Sequence, residues 1–147
     1  MSTEDHKAVD VRPATLDDID EVFELAAMMA LTFTPERKVF GASYRSVLDD
    51  QGAHLLVVDV GDTVAGYLLA FEHHTFFANG PVAWVEEIAV RSDLRRRGLG
   101  GLLMKAYEQA VSSRRGRLVA LATTRAGHFY EALGYTSHAT YYRKLLR

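Results

Sequence analysis

Within seven positions the chain carries Arg95-Arg96-Arg97-Gly98-Leu99-Gly100-Gly101, placed between an apolar run that ends at Val90 and an amphipathic stretch that begins at Leu99. Residues of these types in this order can hold an anion. The first turn of a helix leaves backbone N–H groups without partners and carries partial positive charge, so phosphate oxygens bind there when no side chain stands in the way. Gly98 and Gly100 clear that approach, and the arginines add charge. The spacing is not that of the P-loop, which needs Gly, four residues, Gly, Lys and Ser or Thr. It also lacks the third glycine of a dinucleotide fingerprint, because position 103 is Leu.

Proton-transfer chemistry has fewer candidates. Glu86 and Glu87 are adjacent on the apolar run, and strand alternation sends them to opposite faces, so only one can serve as a base. His73 and His74 are also consecutive and diverge in the same way, which makes them a poor metal pair, and no metal is expected. His54 is read as an edge-strand residue. Phe76, Phe77 and Trp84 are candidates for the wall of a substrate pocket, an aromatic core or a dimer contact.

Composition narrows the classes. A chain of 147 residues is expected to form one domain, 1–147, with a substantial core, and 48% hydrophobic and 24% charged residues are ordinary globular values. There is no cysteine, which excludes thiol nucleophiles, disulfides and Cys-based zinc sites. No apolar stretch approaches the ~20 residues that span a bilayer, and Ser2 to Asp10 is polar and acidic, so no membrane is expected and the location is read as cytoplasmic. The net charge of −2 is unevenly spread. Acidic residues crowd the first thirty positions, whereas Arg91, Arg95, Arg96, Arg97, Arg114, Arg115 and Arg117 bracket one amphipathic stretch. With a pI near 6.3 this pattern fits a local polyphosphate site better than nucleic acid, which is not expected as a partner.

The elements that would position these groups follow from periodicity. Val9–Arg12 is a short strand. Thr15 caps a helix whose apolar face is Ile19, Val22, Phe23, Ala26 and Met29. A second helix starts at Pro35 and closes at Asp49, Asp50 and Gly52. His54–Val60 and Val64–Glu72 form a hairpin around Gly61-Asp62-Thr63, and Val82–Val90 completes an antiparallel meander. The glycine loop then opens a helix with Leu99, Leu102, Leu103, Ala106, Tyr107 and Ala110 on one face, ended by Gly116. Leu118–Ala122 is a strand, Ala126–Leu133 a short helix stopped by Gly134, and Tyr141–Leu146 a final strand. Strand, glycine loop, helix and strand make a βαβ crossover, hence one parallel pair in a mostly antiparallel sheet.

Arg95-x-x-Gly98-x-Gly100 resembles the acyl-CoA pyrophosphate loop of the GNAT superfamily of N-acetyltransferases. Some thirty residues on, Ala126-Gly127-His128-Phe129-Tyr130-Glu131-Ala132-Leu133-Gly134-Tyr135 is similar to that family's Ala-x-x-Phe-Tyr-Glu-x-x-Gly-Phe segment, with Tyr135 in place of the final Phe. The resemblance implies an α/β (α+β) GNAT fold. In it a mixed, mostly antiparallel twisted sheet, flanked by about four helices, has a central parallel pair splayed to receive acetyl-CoA as co-substrate. It implies that Ile88, Ala89 and Val90 form the bulged strand end that meets the pantetheine arm, with Val90 N–H at the thioester carbonyl. Arg95, Arg96, Arg97, Gly98, Leu99, Gly100 and Gly101 would cradle the phosphates. Thr123 stands where many members have a cofactor-contacting Asn.

The implied reaction transfers acetyl to a primary amine of a small molecule or peptide by direct attack in a ternary complex, no cysteine being available for an acyl-enzyme. Neutralising a lysine-like amine of pKa about 10.4 at pH 7.4 costs roughly 4 kcal/mol, which a carboxylate base can offset. The family commonly places that base four residues before the position of Val90, which selects Glu86 over Glu87. By the same resemblance Tyr130 is the acid for the departing thiolate and also borders the cofactor, and Val90 N–H is the oxyanion donor. The carboxylates favour a cationic acceptor such as a polyamine, a diamino acid or an aminoglycoside-like compound. The alternative is a non-catalytic acyl-CoA-binding sensor of the same fold. The resemblance also allows a homodimer.

Overall fold

A computed structural model describes residues 7–147; Glu4 and Asp5 of the acidic N-terminal set lie outside the described residues. The order of elements is β1 (Val9–Pro13), α1 (Ile19–Met29), α2 (Arg37–Asp49), β2 (Ala53–Val60), β3 (Thr63–His74), β4 (Pro81–Val90), α3 (Leu99–Ser113), β5 (Val119–Leu121) and α4 (Gly127–Ala132). The strands form one sheet in sequential order, antiparallel from β1 to β4, with β5 parallel to β4. This is the mixed sheet with one parallel pair that the order of elements implied.

Each face of the sheet has its own core. Val58, Leu68, Ala70, Ala83 and Val85 pack against Leu99, Leu103, Met104 and Tyr107 of α3. Val57, Val64, Tyr67 and Ala89 pack on the other face against Ile19, Val22, Leu25 and Tyr44 of α1 and α2. Strand alternation and helical periodicity therefore meet in two layers of contact. The start of the first helix is as the sequence predicts. The Thr15 hydroxyl accepts from Asp17 N–H, and Asp18 reaches back to Thr15 N–H at 2.8 Å. That capping box precedes a 3₁₀ turn (Leu16–Asp18) that leads into α1. The β2–β3 hairpin pairs Val60 with Thr63, leaving Gly61-Asp62 as a two-residue turn with Gly61 at φ 62°.

Gly116 ends α3 as expected, and the residue before it, Arg115, is left-handed at φ 64°. Gly116 N–H closes the turn onto Val111 C=O at 2.9 Å, and a Cβ at Gly116 would stand 2.3 Å from Val111 Cγ1. Its glycine is required by close approach. Tyr141–Leu146 is not a strand; residues beyond Tyr135 run without helix or sheet pairing. Alternating residue types can suit a strand, but pairing needs a free edge of matching length, and β5 is three residues long. Instead Tyr141 stacks on Trp84, with ring centroids 6.4 Å apart and planes 24° apart, and Arg143 reaches Thr32. His54 is not edge decoration. It sits half-buried on the α3 face, 5.9 Å from the Tyr107 ring and 3.5 Å from a Glu72 oxygen, while Arg114 also pairs with Glu72. Among the described residues no helix is long and apolar enough to cross a membrane.

Candidate active site

The parallel pairing of β4 with β5 runs only from Ala83–Val119 to Val85–Leu121. Beyond Val85 the strands part, and among the described residues β4 from Glu86 to Val90 has no paired strand on that side. Arg91 N–H bonds to Ala65 C=O at 2.7 Å, which makes Val90 and Gly66 a pair that exchanges no hydrogen bonds of its own. The N–H and C=O of Val90 therefore point away from β3 and into the gap. An extended ligand can lie along this open edge and bond to main chain.

The site's second feature is a β-bulge. Leu69 pairs with Glu87 and Ala70 with Val85, so Glu86 is the extra residue. The bulge lies before the Ile88–Val90 end and not within it, and it overturns the simple alternation expected for the two carboxylates. Ala83 and Val85 belong to the α3 face, whereas Glu87 shares the other face with its partner Leu69 and with Ala89. Glu86 and Glu87 both line one cleft. Their surroundings differ. Glu87 accepts a 2.8 Å hydrogen bond from the Tyr67 hydroxyl, whose proton is held more tightly than usual by burial and by the nearby Glu87 charge. Glu86 is exposed within the cleft and makes no side-chain hydrogen bond to the described residues.

The third feature is the start of α3. Gly98 stands at the N-cap in the left-handed region (φ 74°) with no side-chain cap, and Leu102 N–H is the first to bond back, to Gly98 C=O at 3.0 Å. The N–H groups of Leu99, Gly100 and Gly101 thus have no intrahelical acceptor. A Cβ on Gly98 would touch nothing within 4 Å, so the space outside it is open, and Arg96 is also left-handed at φ 68°. Gly100 has a different reason to lack a side chain, since a Cβ there would lie 3.2 Å from the Phe129 ring. Arg95, Arg96, Gly98, Leu99, Gly100 and Gly101 line the cleft; Arg97 does not.

Across the gap, α4 presents Tyr130. Gly134, at φ 95°, ends α4 with its N–H on Glu131 C=O and Tyr135 N–H on Tyr130 C=O, both 3.0 Å. The rings of Tyr130 and Tyr135 meet edge-on at 5.9 Å, and the Tyr135 hydroxyl donates to Glu108 of α3 at 2.8 Å. That turn fixes the tyrosine. Tyr130 is buried against the core yet borders the cleft, and burial raises its pKa above the ordinary phenol value, so it holds its proton at neutral pH. Thr123 lies on the rim with its hydroxyl accepting from Ala126 N–H at 3.0 Å, so it organises the turn into α4.

One continuous cleft of about 2290 Å³ is bordered by Glu86 to Val90, by Arg95, Arg96 and Gly98 to Gly101, and by Thr123 and Tyr130. That exceeds the roughly 300–1000 Å³ of a pocket for one drug-sized ligand. Its far wall comes from Met29 at the end of α1 and the following residues to Phe33, from Trp84 and from Tyr141 and Arg143. Phe76 and Phe77, candidates for that wall, are instead exposed, at 106% and 76%, and border no part of it. Sequence reasoning missed the Glu87–Tyr67 bond, Glu108, Tyr141 and Arg143. No periodicity marks contacts between residues so far apart. Among the described residues no three His, Asp or Glu side chains converge on a metal-sized point.

A splayed parallel pair, an uncapped glycine-rich helix start and the Tyr130 side of α4 thus border one space. The sequence matches the Acetyltransferase (GNAT) family over residues 18–135, and the chain belongs to that family. Among solved structures, a transcriptional regulator from Bacillus halodurans C-125 is 21% identical, with 94% of this chain and all of that one covered and a TM-score of 0.85. Glucosamine-6-phosphate N-acetyltransferase from Arabidopsis thaliana is 17% identical, covering 96% and 100% at a TM-score of 0.84. An aminoglycoside acetyltransferase from an uncultured soil metagenomic sample is 14% identical, covering 95% and 97% at 0.75. At these identities the likeness is one of fold.

Proposed function

We propose that the chain is an N-acetyltransferase that moves acetyl from acetyl-CoA to a primary amine of a small molecule or peptide, by direct attack with both substrates bound. The observation that carries this reading is the continuity of the cleft: the open β4 edge, the uncapped start of α3, Tyr130 and two carboxylates border the same space. The residues present fit a CoA thioester. Ile88 and Val90 offer main chain to an amide-bearing arm, while the Ala89 main chain between them is directed at Tyr67 of β3, and Gly98 to Gly101 with Arg95 and Arg96 offer donors and charge to the pyrophosphate. When bound, acetyl-CoA supplies the activated acyl group.

The chain's own contributions follow from placement. Val90 N–H, turned into the gap, is a donor aimed where a carbonyl oxygen gains charge. Glu86, at the bulge and without a protein partner among the described side chains, takes the ammonium proton directly or through water. Glu87, held by Tyr67, adds negative potential that draws the amine in. Tyr130 keeps its proton because it is buried, and it donates a hydrogen bond to the leaving sulfur. A phenol more basic than usual does not fully protonate a thiolate whose parent acid has a pKa near 8.5, so Tyr130 acts by sharing its proton in the transition state.

The test is release of free CoA thiol from acetyl-CoA across a broad amine panel, which the absence of cysteine makes clean. Acceptor-dependent release supports the reading. CoA binding without release on any amine supports the sensor instead.

A further inference from the structure

The acceptor end of the cleft carries charge of both signs around an aromatic pair. Trp84 and Tyr141 stack there. Glu86 is two residues beyond Trp84, and Arg143 is two residues beyond Tyr141, so each charged residue's Cα lies within about 7 Å of its aromatic neighbour's Cα. Arg143 comes from the segment after Tyr135 that joins no strand, and it is tied to the α1–α2 connection. Both of its terminal nitrogens donate to Thr32 Oγ1 at 3.3 Å. No carboxylate pairs with it among the described residues, and of the arginines that line the cleft it is the one beside Trp84 and Tyr141. A guanidinium carries five N–H donors in a planar fork, so several remain beyond those given to a neutral hydroxyl.

Resting on the acetyltransferase reading, we propose that the acceptor is a small amine that also bears an anionic group, a carboxylate or a phosphate. Glu86 and Glu87 receive the amine, Trp84 and Tyr141 flank the body of the molecule, and Arg143 pairs with the anion. The segment that supplies Tyr141 and Arg143 lines the cleft beside Trp84 and would border the acceptor. Thr32 is a positioning residue: its hydroxyl aims the fork and has no part in the chemistry. The other arginines on the cleft, Arg95 and Arg96, stand at the α3 end, where the pyrophosphate of the proposed co-substrate would engage them. Arg143 is left for the acceptor.

The experiment compares matched acceptors in the thiol-release assay: amino acids against their carboxamides, and an amino-sugar phosphate against the free amino sugar. For the intact chain kcat/KM favours the anionic member of at least one set by about ten- to a hundredfold, the range of a hydrogen bond between charged groups. Which set responds separates carboxylate from phosphate. In Arg143→Gln the ratio falls to near one, mainly through KM of the anionic acceptor, and in Arg143→Glu it inverts. Thr32→Val lowers the ratio partway. Turnover with no preference for the anionic member, or a preference that survives Arg143→Gln, overturns the proposal while leaving the acetyltransferase reading standing. No turnover of any acceptor by a chain that binds CoA overturns both.

Discussion

At the scale of single residues, the two carboxylates and the tyrosine have separable duties. Glu86 lies free in the cleft and Glu87 is engaged by Tyr67, so the variants should differ. Glu86→Gln is expected to lower kcat/KM by about a hundredfold or more, in line with loss of a general base. Glu87→Gln keeps an acceptor for the Tyr67 hydroxyl and is expected to act mainly on KM of cationic acceptors. Steady-state kinetics of both variants on one good acceptor decides the assignment; the reverse pattern would make Glu87 the base. Tyr130→Phe removes only a hydroxyl from a ring whose packing is otherwise kept. Turnover should fall at least about tenfold, with CoA affinity, measured by calorimetry, within a factor of about two. Residue types along the chain mark Glu86 and Glu87 as candidates, and the family resemblance adds Tyr130 and the preference for Glu86. Which carboxylate is free was not legible in them, because the bulge that turns both into one cleft arises from pairing with Leu69 and Ala70 on another strand.

At the scale of elements, loops and caps carry the predictions. Gly98 has open space around it but a left-handed backbone, so Gly98→Ala costs about 1–2 kcal/mol in local conformation and not by collision. The expected signature is weaker CoA binding with little change in melting temperature, since the loop relaxes without disturbing the core. The end of α3 gives a contrasting pair. Arg115→Gly relieves a left-handed non-glycine residue and should raise stability by up to about 1 kcal/mol. Gly116→Ala drives a methyl into Val111 and should lower stability by about 1–3 kcal/mol. Chemical denaturation of both variants checks the signs, and a stabilised Gly116→Ala would show that the turn is free to open. The position of the helix stop was legible from Gly116. The residue that takes the unusual dihedral was not, because spacing alone does not separate a glycine needed for φ from one needed for room.

At the scale of the whole molecule, a charged knot ties the start of α1 to the sheet. Arg12 of β1 makes paired hydrogen bonds to Asp18, both 2.8 Å, and reaches Asp59 of β2 at 2.7 Å. Those bonds, with Thr15 N–H, hold the Asp18 carboxyl below the usual carboxylate range. A depressed native value means that Asp18 contributes its full stability above the unfolded carboxyl pKa of about 3.9 and loses it as pH falls through the native value. Asp18→Asn is expected to cost about 1.5–3 kcal/mol at pH 7 and to flatten the acid limb of the stability profile, as followed by denaturant titration at several pH values. The same distinction between local and long-range information runs through the protein. Sequence alone determined the family motifs, the order of elements up to α4, the capped start of the first helix and the glycine loop, since each depends on residues within a few positions of one another. It also determined that no cysteine chemistry is available. Only the tertiary structure decided that Tyr141–Leu146 stays out of the sheet, that Phe76 and Phe77 leave the cleft to Trp84, and that Arg143 meets Thr32 across 111 positions. Those outcomes turn on which strand edges are long enough to pair and which surfaces fold back on one another, quantities that no stretch of neighbouring residues contains.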